Sequence, residues 1–329
     1  MLFLESPSFN PYFNLALEQY VFDCMDRNRE YFMLWQNDNA VIIGKNQNTI
    51  AEINQTFIKE HEISVVRRLS GGGAVYHDLG NINFTFITDA GKKEGFDFSA
   101  FCVPIVKALA SFGVRAEMRG RNDIVIDGKK FSGNAQYIKQ GRIMHHGTIM
   151  FDTNLDVMRQ ALAAPKDKIT SAGTKSVQSM VTNIKDHISA DTKAAEFLDA
   201  LRGYMFKEYD LRGYELSPED MRRVVDLQNS VYDTWEWNYG HSPAYSIVKE
   251  RRVEGFGELQ IHMDAQGGVI REVAFYGDFF GSGDIRELAI LVKGKKAEEG
   301  ELRKALFGAD IGKYFFRMDL DTFISIILQ

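Results

Sequence analysis

The segment RRLSGGGAVYHD (67–78) places three glycines between two arginines and a His-Asp pair. A turn needs one or two glycines. Three in a row imply a backbone that another group must approach closely. The flanks read as strands: ISVVRRL (63–69) before, AVYHD (74–78) and NINFTFIT (81–88) after. A P-loop or a dinucleotide fingerprint needs a helix after its glycines, so both are excluded. Glycines joining two strands leave amides bare, and bare amides can line up on an anion. A tight turn beside two surface arginines is the competing reading. Arg67 and Arg68 alternate faces, so one of them can point at such a ligand.

Around this loop the pattern is mixed. NPYFNLALEQYVFDCMD has helical spacing, with Asn10 placed to cap. YFMLWQ (31–36) and AVIIGK (40–45) read as strands around the turn NDN. Residues 98–112 predict a helix ended by Gly113. DIVID and KKFSGNAQY form a hairpin around Asp127-Gly128, and RIMHHGTIMFD (142–152) is a further strand. NLDVMRQAL predicts a helix capped by Asn154, and 171–184 a polar loop entering a short helix. Residues 191–209 and 217–232 predict amphipathic helices, the second with Ser217 as N-cap and Pro218 at N1. A hairpin and three helices follow. The texture changes near Lys249–Arg252, which divides the chain into 1–248 and a small α+β unit, 249–329.

With 329 residues, 45% hydrophobic and 26% charged, the chain can bury a full core. A net charge of −6 argues against general nucleic-acid binding. The N-terminus lacks a basic leader, and no apolar run is long enough for a bilayer. Two cysteines, Cys24 and Cys102, make neither a disulfide framework nor a zinc motif. Both lie in helical segments and read as packed thiols. A cytoplasmic monomer is the expectation, with no nucleic-acid or membrane partner.

Two further clusters carry chemistry. In RNDIVIDGKKFSGNAQY, Asp123 can offer an oxygen to Mg2+. Lys129 and Lys130 alternate faces, so one is solvated while an inward one needs an anionic partner. The order cation, Ser-Gly, strand occurs twice, at 67–77 and at 129–137. In His145-His146-Gly147-Thr148 the two rings face opposite ways. One histidine lines a pocket and the other packs; no zinc spacing supports them or His77.

Together RRLSGGGAVYHDLGNINFTF, GRNDIVIDGKKFSGNAQY, HHGTIMFDTNLD, TKSVQSMVTNI and LWQNDNAVIIGKNQN resemble the lipoate–protein ligases, from about residue 1 to the C-terminus. The resemblance implies an α/β (α+β) catalytic domain, a mixed β-sheet flanked by helices as in biotin ligases, plus a C-terminal accessory domain. It implies two steps. Lipoate and ATP form lipoyl-AMP, with Mg2+; the acyl group then passes to a lysine of a lipoyl carrier domain (the glycine-cleavage H protein or an E2 subunit).

The resemblance also assigns roles. Lys130 is the central lysine between the lipoate carboxylate and the α-phosphate. Arg68, Gly71, Gly72, Gly73, Ala74, Val75, Tyr76 and Asn81 bind nucleotide with it, Asn81 as an adenine contact. Asn122 and Asp123 hold the metal. Lipoate meets Leu17, Trp35, Arg68, Ser70, Gly72, Val75, Lys130 and His146. Lys175-Ser176 lies near the adenylate in a loop expected to order with ligand. The C-terminal unit is expected to pack over the site before adenylation and swing away to admit the acceptor. The rival within the fold is an ATP-independent octanoyl or lipoyl transferase, which usually needs a pocket cysteine. A non-enzymatic lipoate carrier is disfavoured by the presence of Lys130 and Asp123.

Overall fold

The architecture was obtained as a computed structural model. It describes residues 1–47, 49–90, 97–120, 122–163, 181–188, 191–239, 247–253, 256–266 and 269–328. An eight-stranded sheet runs β11(Arg212–Gly213)-β1(Leu2–Glu5)-β2(Tyr31–Trp35)-β6(Asn81–Asp89)-β10(Arg142–Met150)-β9(Lys129–Lys139)-β8(Asp123–Ile126)-β7(Glu117–Arg119). Its β11-β1-β2 edge is parallel and the rest antiparallel, so the sheet is mixed as expected.

β2 is buried at all five positions, which its unbroken YFMLW requires of a strand covered on both faces. Phe32 and Leu34 enter one core with Phe84, Phe86 and the helices Ser99–Ser111 and Ala194–Tyr209. Tyr31, Met33 and Trp35 enter another with the helix Pro11–Cys24. Asn10 caps that helix through the amides of Tyr12 and Phe13.

A second sheet, β4(Ser64–Arg67)-β3(Ala40–Ile43)-β5(Val75–His77), carries the glycine segment as its β4–β5 link. The strands read on either side of NDN therefore do not pair with each other; the chain turns at Asn39, φ 41°, and changes sheet. The Asp127-Gly128 hairpin forms as read, with φ of 49° and 74°. Lys175-Ser176 lies outside the described residues.

The C-terminal unit is a sheet β12(Ile247–Val253)-β13(Gly257–Gln266)-β14(Val269–Gly277) backed by helices. β12 pairs with β13 from Ile247 to Val253, so the division drawn at 248/249 cuts a strand that belongs wholly to this unit. The change of texture was read from the charged run Lys249–Arg252, which lies inside the strand rather than ahead of it. The unit docks on the larger one. Gly277 N donates to Asn46 O at 2.7 Å, and Phe280 is fully buried in the core of the larger unit, 5.3 Å from the Phe98 ring.

This interface traps a carboxyl. Burial, then the carboxylates of Glu258, Asp278 and Glu250, push Glu52 up to about 7. A raised acid favours docking while protonated, and the benefit is lost as pH climbs from its ordinary value through about 7. Glu52→Gln is expected to raise the thermal midpoint at pH 8, by about 2 kcal/mol of stability. The gain should vanish by about pH 5; an equal gain at both pH values would contradict it.

Candidate active site

The glycine segment is held from below by its own arginine. Arg68 is buried, and its Nη2 donates to Gly71 O at 2.7 Å and Gly73 O at 2.9 Å. Its Nη1 donates to Ile42 O and its Nε to Ser70 Oγ at 3.0 Å. Burial pulls Arg68 down to about 10, which still leaves the guanidinium charged at neutral pH. Arg67 is spent on the fold as well, with donors on the carbonyls of Gly44, Lys45, Gln47 and Trp237 and on the Thr49 hydroxyl. Neither arginine lies on the surface, because each satisfies carbonyls that a bent loop cannot pair within itself.

The three glycines have three different reasons. A methyl at Gly71 would lie 2.1 Å from Phe279 O of the C-terminal unit. Gly72 has φ +92°. Gly73 faces open space, with nothing within 4 Å of a Cβ position. Only Gly73 leaves room for a ligand without a packing constraint of its own.

From Ser70 a buried relay crosses to the large sheet. A carboxylate can only accept, so His146 Nδ1 carries the hydrogen it gives to Glu18 Oε1 at 2.9 Å. Its Nε2 shares a hydrogen bond of 2.6 Å with the Ser70 hydroxyl. Glu18 also accepts from Thr85 Oγ1 at 2.5 Å, and Thr85 from Trp35 Nε1 at 2.9 Å. His145 faces the other way, as strand alternation requires, and is stacked 4.8 Å from Phe101 in the core.

Between the two sheets lies a cleft of about 110 Å³. Of the residues assigned from sequence, Trp35, Arg68, Gly72, Gly73, Ala74, Val75, Asn122, Lys130 and His146 line it. Leu17, Ser70, Gly71, Tyr76, Asn81 and Asp123 do not. Leu17 belongs to the core, and Leu15 takes the expected place on the cleft wall; two residues along a helix turn a side chain by about 200°. Ser70 and Gly71 lie beneath the loop. Asp123 meets the cleft through Lys130, whose Nζ stands 2.7 Å from Asp123 Oδ1. Lys129 is exposed and Lys130 half-buried, so the alternation held.

The sequence reading missed His77, Asn83, Gly133 and Asn134 on the cleft wall. β6 carried the signal in its alternation: Asn81, Asn83 and Thr85 form its polar face, yet all three are buried. Neither cysteine lines the cleft. Cys102 is buried behind β10, and desolvation pushes its thiol up to about 12. Among the described residues, no cluster of His, Cys, Asp and Glu could hold a metal by itself, and no helix is long and apolar enough to cross a membrane.

The lipoyl protein ligase A/B catalytic domain matches residues 10–206, and the bacterial lipoate protein ligase C-terminus matches 242–327. Lipoate–protein ligase LplJ of Bacillus subtilis is 41% identical over 99% of this chain and all of its own. Lipoate–protein ligase 1 of Staphylococcus aureus is 41% identical over 97% of each. Among solved structures, P. falciparum LipL1 in complex with lipoate superposes with a TM-score of 0.82, at 26% identity, over 100% of this chain and 99% of its own. A bipartite lipoate protein ligase of Thermoplasma acidophilum, studied with its E2 lipoyl domain, gives 0.63 at 27% identity, covering 75% and 98%. A lipoate–protein ligase A bound with ATP gives 0.61 at 25%, covering 73% and 97%.

The glycines can be told apart by experiment. Gly71→Ala should cost about 2 kcal/mol in thermal unfolding through the clash with the C-terminal unit. Gly73→Ala should unfold like the wild type yet weaken nucleotide binding, read by calorimetric titration with ATP. Equal destabilisation by the two changes would contradict the assignment.

Proposed function

The chain belongs to the lipoyl protein ligase A/B family, and on that premise we infer that it is an ATP-dependent lipoate–protein ligase. The observation that carries the reading is the position of Lys130. Lys130 lines the cleft together with Gly72 and Gly73, its ammonium close over Gly133, where a Cβ would lie 3.0 Å from Nζ.

In the first step a lipoate carboxylate oxygen attacks the α-phosphorus of ATP, and the bond to pyrophosphate breaks. Two anions must meet, so a point charge between them is worth most in the transition state. Lys130 supplies it. Asp123 holds the ammonium in place. With Asn122 it would hold Mg2+, a hard cation that would neutralise phosphate charge there. Arg68 keeps its charge beneath the loop and holds the Gly71 and Gly73 carbonyls, so that amides of 71–73 can face the phosphates. The segment Ala74–Tyr76 and Asn81 are assigned to the nucleoside. Trp35, Val75, Leu15 and His146 wall the acyl slot.

In the second step an acceptor lysine attacks the acyl carbonyl, a C–N bond forms and AMP leaves. The amine comes from the carrier, so no enzyme thiol is needed. The carrier is a lipoyl domain of the E2 or H-protein kind. The swing of the C-terminal unit between the steps remains part of this proposal. In the docked arrangement Phe279 and Phe280 lie against Gly71 and Gly72, so movement of that unit would free one side of the loop. A transferase acting through a cysteine is disfavoured by the placement of Cys102.

Lipoate-dependent ATP–pyrophosphate exchange tests the reading. The wild type should exchange, and Lys130→Ala should lose on the order of 100-fold or more in kcat, about 3 kcal/mol. A folded wild type without exchange, yet able to move a lipoyl group from one carrier domain to another, would establish the transferase instead.

A further inference from the structure

Arg67 adjoins the glycine segment yet does not line the cleft. It is 1% exposed, and its side-chain bonds among the described residues all go to uncharged oxygens. Burial pulls it down to about 10, so the guanidinium keeps its charge at neutral pH. A buried charge without a carboxylate is held only by its hydrogen bonds. Those bonds fall on two segments.

The first is the turn 44–47. Arg67 Nη1 donates to the carbonyls of Gly44 at 2.9 Å, Lys45 at 3.2 Å and Gln47 at 2.7 Å. Gln47 closes the turn, its N donating to Gly44 O at 3.0 Å and its Oε1 accepting from Gly44 N at 2.8 Å. The fourth carbonyl, that of Asn46, accepts from Gly277 N of the C-terminal unit at 2.7 Å. Gly277 ends β14, and Phe279 and Phe280 follow it onto Gly71 and Gly72. The turn is thus the seat of the C-terminal unit. It also adjoins the glycine segment: Lys45 N donates to Ser70 O at 2.8 Å, and a methyl on Gly44 would lie 2.0 Å from Gly72 O.

The second segment is the helix Trp235–Asn238, which precedes β12 in the chain. Arg67 Nε donates to Trp237 O at 3.0 Å, and Nη2 to Asn238 O at 3.3 Å. Its backbone joins in: Arg67 N donates to Asn238 Oδ1 at 2.9 Å, and Trp237 Nε1 donates to Arg67 O at 2.8 Å. Thr49 Oγ1 accepts from Nη2 at 2.6 Å and donates to Asn238 O at 2.5 Å, which ties the two segments together. One side chain therefore fixes both the seat of the C-terminal unit and the helix that leads to it. A planar fork of donors can reach both at once; a lysine ammonium on a flexible stem cannot.

Resting on the ligase reading above, we propose that Arg67 is a positioning residue for the adenylation half-reaction: it holds the turn 44–47 in the shape that seats the C-terminal unit against the glycine segment. The segment has its own grip in Arg68, so what Arg67 adds is the seat. The triphosphate is held while the unit is docked, and a misplacement of about 1 Å in such a site lowers the rate steeply. Acyl transfer follows with the unit swung away, so it does not need the seat.

Two variants separate the shape of the turn from the charge. Arg67→Lys keeps a cation and loses the fork. Gln47→Met leaves Arg67 in place and removes the side-chain acceptor that closes the turn. In both, the Gly277 amide should exchange its hydrogen roughly tenfold faster, while the amides of β6 stay protected as in the wild type. Both should lower kcat/KM for ATP roughly tenfold or more in lipoate-dependent ATP–pyrophosphate exchange, with KM for lipoate unchanged. Transfer from synthetic lipoyl-AMP to a lipoyl domain should stay within about twofold of the wild type. A merely structural role would deprotect β6 and lower both half-reactions together, which would overturn the proposal. Wild-type rates of lipoyl-AMP formation in both variants would overturn it equally. A wild type that forms no lipoyl-AMP would sink the ligase reading itself, and this proposal with it.

Discussion

The site depends on one buried cation. Arg68 reaches the carbonyls of Gly71 and Gly73, the Ile42 carbonyl and the Ser70 hydroxyl, with no carboxylate in direct contact among the described residues. Carbonyl dipoles and a relayed charge stand in for a salt bridge. Through Ser70 and His146 the relay ends on buried Glu18, whose charge favours the ionised guanidinium. Such an arrangement is costly to break, because removing one member leaves several buried polar atoms unpaired. The same relay continues through Thr85 to Trp35. The glycine segment and the acyl slot are thus one hydrogen-bonded unit, although they come from different sheets.

The C-terminal unit is part of the same construction. Phe279 offers a carbonyl against Gly71, and Phe280 closes the core beside Gly72. The loop is therefore gripped by Arg68 from within and by an aromatic pair from the other unit. In a glycine run that looked like a ligand-binding device, one position answers to packing and one to backbone conformation. Glu52 adds an opposing term, since a desolvated carboxyl within reach of three other carboxylates resists docking once it ionises.

Much of the fold was legible. The Asp127-Gly128 turn, the Asn10 and Asn154 caps and the period-two strands all formed as read, because each rests on local backbone chemistry. That one residue of the Lys129-Lys130 pair faces inward was legible from strand alternation; that it is Lys130 came from the family resemblance, and the strand's burial pattern agrees. Leu17 was placed wrongly on the cleft because helical phase needs a fixed reference, and the sequence has none until the sheet is present. β12 was cut for a similar reason: its partner, β13, fixes its extent.

Asn83 and His77 mark the boundary between what the two levels decide. The sequence by itself determined the strands and turns around the site, that one lysine of the 129–130 pair faces inward, and the close approach required at 71–73, since these follow from chirality, φ limits and alternation within a few residues. It could not tell that the polar face of β6 is buried, nor that His77 of β5 reaches the same cleft wall. Burial of that face comes from the second sheet and from the helix Pro11–Cys24, whose Glu18 meets Thr85. Only tertiary contact removes water from such groups.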